Sequence, residues 1–327
     1  MTTKTATKDV RLLMVLTEND TLVPPTDLAG LVDLAIQAEA AGIDGVMVSE
    51  HLLLGRSADA AGSMLNPRDY AAPGNQPPAT AWPSSIVMLS AIAQATTSLR
   101  LVAGALIAPL RHPLLLAKEL GTLDRLSQGR LVVLPTVSWH RDEYDALGVP
   151  FGQRGAILDE QLEILTKAWG PYPVSHRGPR FPFGDVWLEP GAHRPEGPPL
   201  WFGGSGMHPA LIRRLVRYGQ GLNPFGALTD DDLSRLATAM ADAGRDLAEL
   251  ELVGGIRGTF HRPDDVADLD TALESLPHQL ASGYRTICFK PSMYVRDTED
   301  LPRFNAELID KVNRIARHPR SAPAPLS

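Results

Sequence analysis

Short apolar runs alternate along this chain with longer segments whose apolar positions recur every three or four residues. A short run without polar alternation suits a strand covered on both faces, and the longer period suits an amphipathic helix. The runs predict strands at 10–16, 43–48, 99–107, 131–134, 200–202, 221–224, 250–260 and 286–289. The periodic segments predict helices at 28–41, 84–96, 113–126, from near Gly155 towards Trp169, and at 209–218, 230–243, 266–282 and 300–316. Local signals fix several ends. Leu28, Leu31, Leu34, Ala35 and Ala38 share one helical face and Gly42 stops it. Pro113 opens the third helix, and Thr229 caps the helix at 230–243.

Two segments break the alternation. Residues 52–83 carry Gly55, Gly62, Gly74 and a series of prolines, too long and irregular for a spacer, so they predict a lid or binding loop. Residues 170–199 have a Pro, Gly and aromatic content that rules out a long helix. Eight strand candidates separated by helices predict an α/β chain folded as a single (β/α)8 TIM barrel, with long loops after strand 2 and before strand 5. A doubly wound sheet is the alternative, and the eightfold count argues against it. The barrel is expected over 10–317, with a flexible N-terminus at 1–9 and a flexible tail at 318–327.

Composition narrows the function classes. With 327 residues, 44% hydrophobic and 21% charged, the chain reads as globular. A net charge of −7 with no basic stripe argues against nucleic acid as a partner. No apolar run is long enough for a membrane span and no signal core opens the chain, so a cytoplasmic location is expected. Cys288 is the single cysteine, which excludes an intrachain disulfide and any multi-cysteine metal site. No H-x-H pair occurs, so no metal centre is expected.

In a barrel the chemistry collects where the strands end. That rule selects His51, the 105–109 stretch, Thr136 to His140, Gly203 to Gly206, Asn223 and Lys290. His51, after Glu50 at the exit of strand 2, reads either as a proton donor and acceptor near neutrality or as a structural histidine. Gly203-Gly204-Ser205-Gly206, between a strand and a helix, reads either as a phosphate-binding turn or as a plain tight turn. Trp139 can stack on a planar ring, and Thr136, Ser138 and His140 can hydrogen-bond a ligand. Arg111 reads as an anion binder or a salt-bridge partner. Glu143, Asp145 and Arg154 read as ion-paired braces of the loop, and Arg213, Arg214 and Arg217 as a solvated helix face.

Five segments carry a family likeness: E-A-A-G-I-D-G-V-M-V-S-E-H (39–51), S-L-R-L-V-A-G-A-L-I-A-P-L-R-H-P (98–113), L-D-R-L-S-Q-G-R (123–130), E-Y-D-A-L-G-V-P-F-G-Q-R-G (143–155) and P-L-W-F-G-G (199–204). Taken in order, the chain resembles the bacterial luciferase-like flavin-dependent oxidoreductases from Val10 to Phe289. The resemblance implies a (β/α)8 barrel using reduced FMN with molecular oxygen, or the deazaflavin coenzyme F-420 as hydride carrier. It implies that His51 serves proton transfer beside the isoalloxazine. It implies that Ala105 and Leu106 lie at a strand-3 bulge, often with a non-prolyl cis peptide, behind the ring. Gly203, Gly204, Ser205 and Gly206 would lie near the cofactor's phosphate or tail, and Thr136, Ser138 and Trp139 along the ring's edge. Trp82 and His140 would face the substrate.

The likeness has departures. Relatives commonly show G-x-G-x-G-W after strand 4, where this chain has L-P-T-V-S-W, and Pro135 and Val137 make that approach bulkier. The phosphate-binding arginine of bacterial luciferase corresponds to Leu115. Some deazaflavin dehydrogenases place a catalytic glutamate where this chain has Trp139. Three readings follow: a monooxygenase acting with reduced FMN on an apolar small molecule, supplied by a separate flavin reductase; an F-420-dependent hydride-transfer enzyme; and a non-catalytic flavin-binding homologue. The family habit of pairing predicts a homodimer.

Overall fold

The computed structural model describes residues 10–317; the expected flexible ends at 1–9 and 318–327 lie outside the described residues. Four parallel strands open the barrel: β1 (Arg11–Val15), β2 (Gly45–Val48), β3 (Arg100–Ile107) and β4 (Leu131–Thr136). After an insertion come β7 (Trp201–Phe202), β8 (Gly221–Leu222), β9 (Glu251–Gly255) and β10 (Thr286–Phe289). The insertion itself contributes β5 (Val174–His176) and β6 (Phe183–Val186). The main sheet runs β4-β3-β2-β1-β10-β9-β8-β7. Its two ends meet: Val133 bridges Leu200 in parallel, and the Val133 amide donates to the Pro199 carbonyl at 2.9 Å. That closure excludes the doubly wound alternative, whose sheet keeps two open edges.

The helices follow the periodicity. They are α1 (Leu28–Ala41), α2 (Ser85–Ala95), α3 (Pro113–Leu126), α4 (Arg141–Ala146), α5 (Arg154–Ala168), α6 (Pro209–Tyr218), α7 (Asp230–Asp242), α8 (Leu269–Leu273), α9 (Leu276–Ala281) and α10 (Leu301–Arg317). The predicted caps form. Gly42 ends α1 at φ 87°, and Thr229 and Asp232 make a reciprocal capping box on α7. The helix expected at 266–282 is instead two short ones. Pro277 lacks the N–H that would bond the Leu273 carbonyl and crowds it, so α8 ends at Leu273. The strand expected at 250–260 stops at Gly255. Within the irregular 170–199 segment a small antiparallel hairpin pairs Val174 with Val186 and His176 with Phe183.

Alternation along the strands divides the core into two. Outward side chains pack against the helices in one continuous shell. Inward ones, Leu13, Val102, Val132, Leu134, Trp201, Val253 and Cys288, fill the lumen. Below them Glu251 is held by Arg100 at 2.6 Å, by Arg11 at 3.2 Å and by the Thr286 hydroxyl, which closes the floor. A filled lumen leaves only the strands' C-terminal end for a ligand. Following the same alternation upward brings Thr17, Ser49, His51, Thr136, Ser138, Asn223, Arg257 and Lys290 to that end.

Candidate active site

His51 is buried at the exit of β2, and its partner comes from a distant part of the chain. The Nδ1 atom lies 2.8 Å from Glu143 Oε1 on α4. The same oxygen accepts the Leu52 amide at 3.1 Å, and the Ser138 hydroxyl reaches the other oxygen at 3.4 Å. A carboxylate only accepts, so Nδ1 donates, and in the neutral ring Nε2 bears the lone pair. Nε2 has no hydrogen bond among the described residues. The ring is walled by Trp82 at 5.2 Å and Trp139 at 5.7 Å, both edge-on. The contact orients the ring, with Nδ1 towards Glu143 and Nε2 away from it. Of the residues expected to brace the loop by ion pairing, Glu143 holds His51 and the Leu52 amide where the long loop begins. Asp145 pairs with Arg141 at 3.9 Å, and Arg154 stacks on Phe151 at 3.7 Å.

The turn after β4 is shaped by Ser138, which sits in the left-handed region at φ 56°. A non-glycine residue there carries a cost of about 1 kcal/mol, met by the Tyr144 hydroxyl bonding the Val137 carbonyl and by the Glu143 contact. Next along the chain, His140 is fully buried and its Nε2 accepts the Gly55 amide at 2.8 Å. Burial lowers its pKa against the pull of Glu143 and Asp142, so the ring stays neutral with its proton on Nδ1. His140 thus ties down the start of the long loop, and its Nδ1 is buried without a partner among the described residues.

The remaining selected residues divide. Ala105 lies at a bulge where the β3–β4 register shifts between Gly104 and Leu106, and the Gly104–Ala105 peptide is cis. Ala105 is half-buried and packs on the lumen cluster, whereas Leu106 turns outward into the helix-facing core. Thr136 ends β4 half-buried. Gly203 is dictated by packing, since a Cβ there would meet the Asn223 carbonyl oxygen at 1.8 Å. Gly204, Ser205 and Gly206 continue to α6; a Cβ at Gly206 would meet open space and at Gly204 only ordinary contacts. Half-buried Arg111 and buried Glu50 form a two-pronged ion pair, at 2.7 and 2.9 Å, with Ser85 and the Ile107 amide completing the carboxylate's partners. Arg214 is not solvated; it is buried against Asp159 at 2.7 Å.

Sequence reasoning missed Glu143 as the partner of His51. It also passed over Glu18, at the exit of β1, which accepts the Ala71 amide at 2.7 Å. Residues 39 to 51 and 143 to 155 are separately recognisable, but nothing along the chain says that they meet.

The luciferase-like monooxygenase family model matches residues 11–318. The chain belongs to that family. Members of this family are flavin-dependent oxidoreductases. Among curated relatives, an uncharacterized protein of Mycobacterium tuberculosis is 34% identical over 163 residues, covering 49% of this chain and 57% of the relative. The pyrimidine monooxygenase RutA of Methylobacterium radiotolerans is 30% identical over 172 residues, covering 49% of this chain and 44% of its own. The chain thus spans about half the length of these curated relatives. Among solved structures, the FMN-bound oxygenating constituent of 3,6-diketocamphane monooxygenase from Pseudomonas putida superposes with a TM-score of 0.58 at 19% identity, over 83% of this chain and 71% of that one. The coenzyme F420-dependent tetrahydromethanopterin reductase of Methanopyrus kandleri gives 0.66 at 15% identity, over 93% and 99%. At these identities the likeness is one of fold. Fold neighbours of this family member therefore include proteins of both cofactor types. No helix among the described residues is long and apolar enough to cross a membrane, and no cluster of metal ligands occurs among them.

Proposed function

We propose that this family member is a monooxygenase that uses reduced FMN and molecular oxygen on an apolar organic substrate, with the reduced flavin supplied by a separate reductase. The observation that carries the reading is the oriented His51–Glu143 pair flanked by two tryptophans, at the exits of β2 and β4 on either side of the strand that carries the bulge. The residues fit a flat ring. Ala105 presents only a methyl at the bulge, and Ser138, Thr136 and Trp139 stand at the exit of β4. The Gly204–Gly206 backbone, leading into α6, suits an anionic tail.

Reduced FMN, when bound, supplies the electrons for oxygen activation. The chain's own residues do the rest. His51 Nε2 takes up or returns a proton at the ring or the substrate, and Glu143 stabilises the imidazolium that results. Trp82 and the 52–83 loop exclude water, and Trp139 and Ser138 hold the ring's edge.

Binding of reduced FMN and of reduced F-420, followed by fluorescence on the purified chain, tests the cofactor. FMN binding is expected; tight F-420 binding with none of FMN converts the reading to hydride transfer, and binding of neither removes enzyme function. Substituting His51→Ala is expected to lower turnover by about 10²-fold or more. Unchanged turnover would remove the proton role.

A further inference from the structure

The 52–83 segment crosses the barrel mouth, and the two sides of the crossing are held differently. On the β4 side its fixings are buried. Glu143 accepts the Leu52 amide at 3.1 Å, and fully buried His140 accepts the Gly55 amide at 2.8 Å. Packing there leaves no slack, since a Cβ at Gly55 would lie 2.1 Å from Asp142 Oδ2. The return limb is held where α2 starts, by the Ser85 hydroxyl on Glu50 at 2.7 Å. On the far side the segment reaches the exits of β1, β10 and β9. The Ala71 amide donates to Glu18 at 2.7 Å, Lys290 Nζ donates to the Asp69 carbonyl at 2.7 Å, and the Arg257 guanidinium spans both Asp69 carboxylate oxygens at 3.0 Å. Asn66 Nδ2 adds bonds to the Arg262 and Asp265 carbonyls, at 2.9 and 3.0 Å, in the irregular stretch after β9. In strand order this arc runs from β4 to β9 and leaves out only β8 and β7.

We propose that residues 58–76 are a lid that lifts from the β9–β10 side, with Asp69 as its latch, and that lifting it is the route into the mouth. The inference rests on the mouth being the working site proposed above; the motion itself is tested without cofactor or substrate, so the two fail separately. Two backbone bonds, from the Ala61 amide to the Gly74 carbonyl at 2.6 Å and from the Gln76 amide to the Ala58 carbonyl at 2.9 Å, staple the limbs of the segment together, so residues 58–76 move as one body. The far-side hold is the weaker one. The Arg257 side chain is 62% exposed, and an exposed ion pair contributes little in water. The Asn66 bonds are ordinary amide–carbonyl ones, whose partners water can replace. Lys290 is fully buried beneath the segment, yet its ammonium has a single hydrogen bond and the Tyr70 ring at 5.4 Å. Its other N–H groups are kept from water while the lid is down, a cost that disappears when the lid lifts. The fixings at Leu52, Gly55 and Ser85 stay in place and serve as the hinge.

Cys288, the chain's single cysteine, is a native reporter of this motion. It faces the lumen two residues before Lys290 and is 9% exposed. Burial pushes its thiol up to about 12, so the reactive thiolate forms once the cover lifts. Labelling of Cys288 by methyl methanethiosulfonate and amide hydrogen exchange are measured on the full-length protein for the wild type, Arg257→Gln and Asp69→Asn. Each variant removes the ion pair and leaves the Asp69 carbonyl for Lys290. Both are expected to label Cys288 about fivefold faster and to exchange the Ala61, Ala71 and Gln76 amides faster by the same factor, with Leu52 and Gly55 protected as in the wild type and thermal unfolding unchanged. Variants on opposite sides of the pair keep the test open should one misfold. Loss of protection at Leu52 and Gly55 along with the rest, faster exchange confined to Ala71, or either response without the other overturns the proposal. So does Cys288 labelling that ignores the ion pair, which would place the route at β7 and β8. FMN binding, measured separately, bears only on the cofactor reading.

Discussion

At the scale of single residues, the site depends on what Glu143 does for His51. If it only braced the loop, a neutral isostere would serve equally well. Gln at 143 keeps an oxygen to accept from Nδ1 and from the Leu52 amide, so the ring stays oriented. Under the proposed proton role, it removes the negative charge that would stabilise the imidazolium formed when Nε2 takes a proton. Glu143→Gln is therefore expected to lower turnover about tenfold or more while thermal unfolding moves little. Equal loss in turnover and stability, or loss in neither, would reduce Glu143 to a brace. His51 itself was legible because it stands where a strand ends. Glu143 was not, because 92 residues separate the two and a carboxylate in an α4-like segment looks like an ordinary helix acid.

At the scale of elements, most helices were legible because their apolar period and caps agree, as α1, α3 and α6 show. The insertion was not. Its β5 and β6 are only three and four residues long, too short to show a period, and the pairing is fixed from outside. Glu160 on α5 accepts the Arg180 amide at 3.0 Å, the Phe181 amide at 3.0 Å and His176 Nε2 at 3.3 Å. Gly178 lets the chain pass; a Cβ there would lie 2.4 Å from Glu160 Oε1. Glu160→Ala leaves two backbone donors without their partner and should loosen the hairpin by about 2 kcal/mol. Limited proteolysis or hydrogen exchange confined to 174–186 would register it. Protection equal to the wild type would show that the aromatic packing suffices.

At the scale of the whole molecule, the floor network links strands that lie far apart in sequence: Arg11 on β1, Arg100 on β3, Glu251 on β9 and Thr286 on β10. Burial alone would raise the Glu251 pKa, but the charge of Arg100 and the hydrogen bonds of Arg100 and Thr286 outweigh it, and the net shift is downward. A carboxyl whose pKa is depressed by folding stabilises the fold above its unfolded value, near pH 4, and that contribution is lost as pH falls through the lower folded value. Glu251→Gln should therefore cost about 2 kcal/mol at neutral pH, with the gap to the wild type closing below about pH 4. Urea unfolding at several pH values measures it. A gap constant with pH would assign the loss to packing instead.

The sequence by itself determined the barrel, its eight strands, the two irregular segments and the placing of His51 and Ala105 at strand exits. It could do so because burial on both faces and amphipathic periodicity are local, additive signals. The tertiary structure decided which side chains meet. Closure through Val133 and Leu200 set the strand order around the mouth, which put Glu143 on Nδ1 of His51 and Lys290 on the Asp69 carbonyl. It also turned Leu106 into the core and committed His140 to Gly55. Such pairings depend on strand register, bulges and loop paths, which arise only once the sheet has curved round to meet itself.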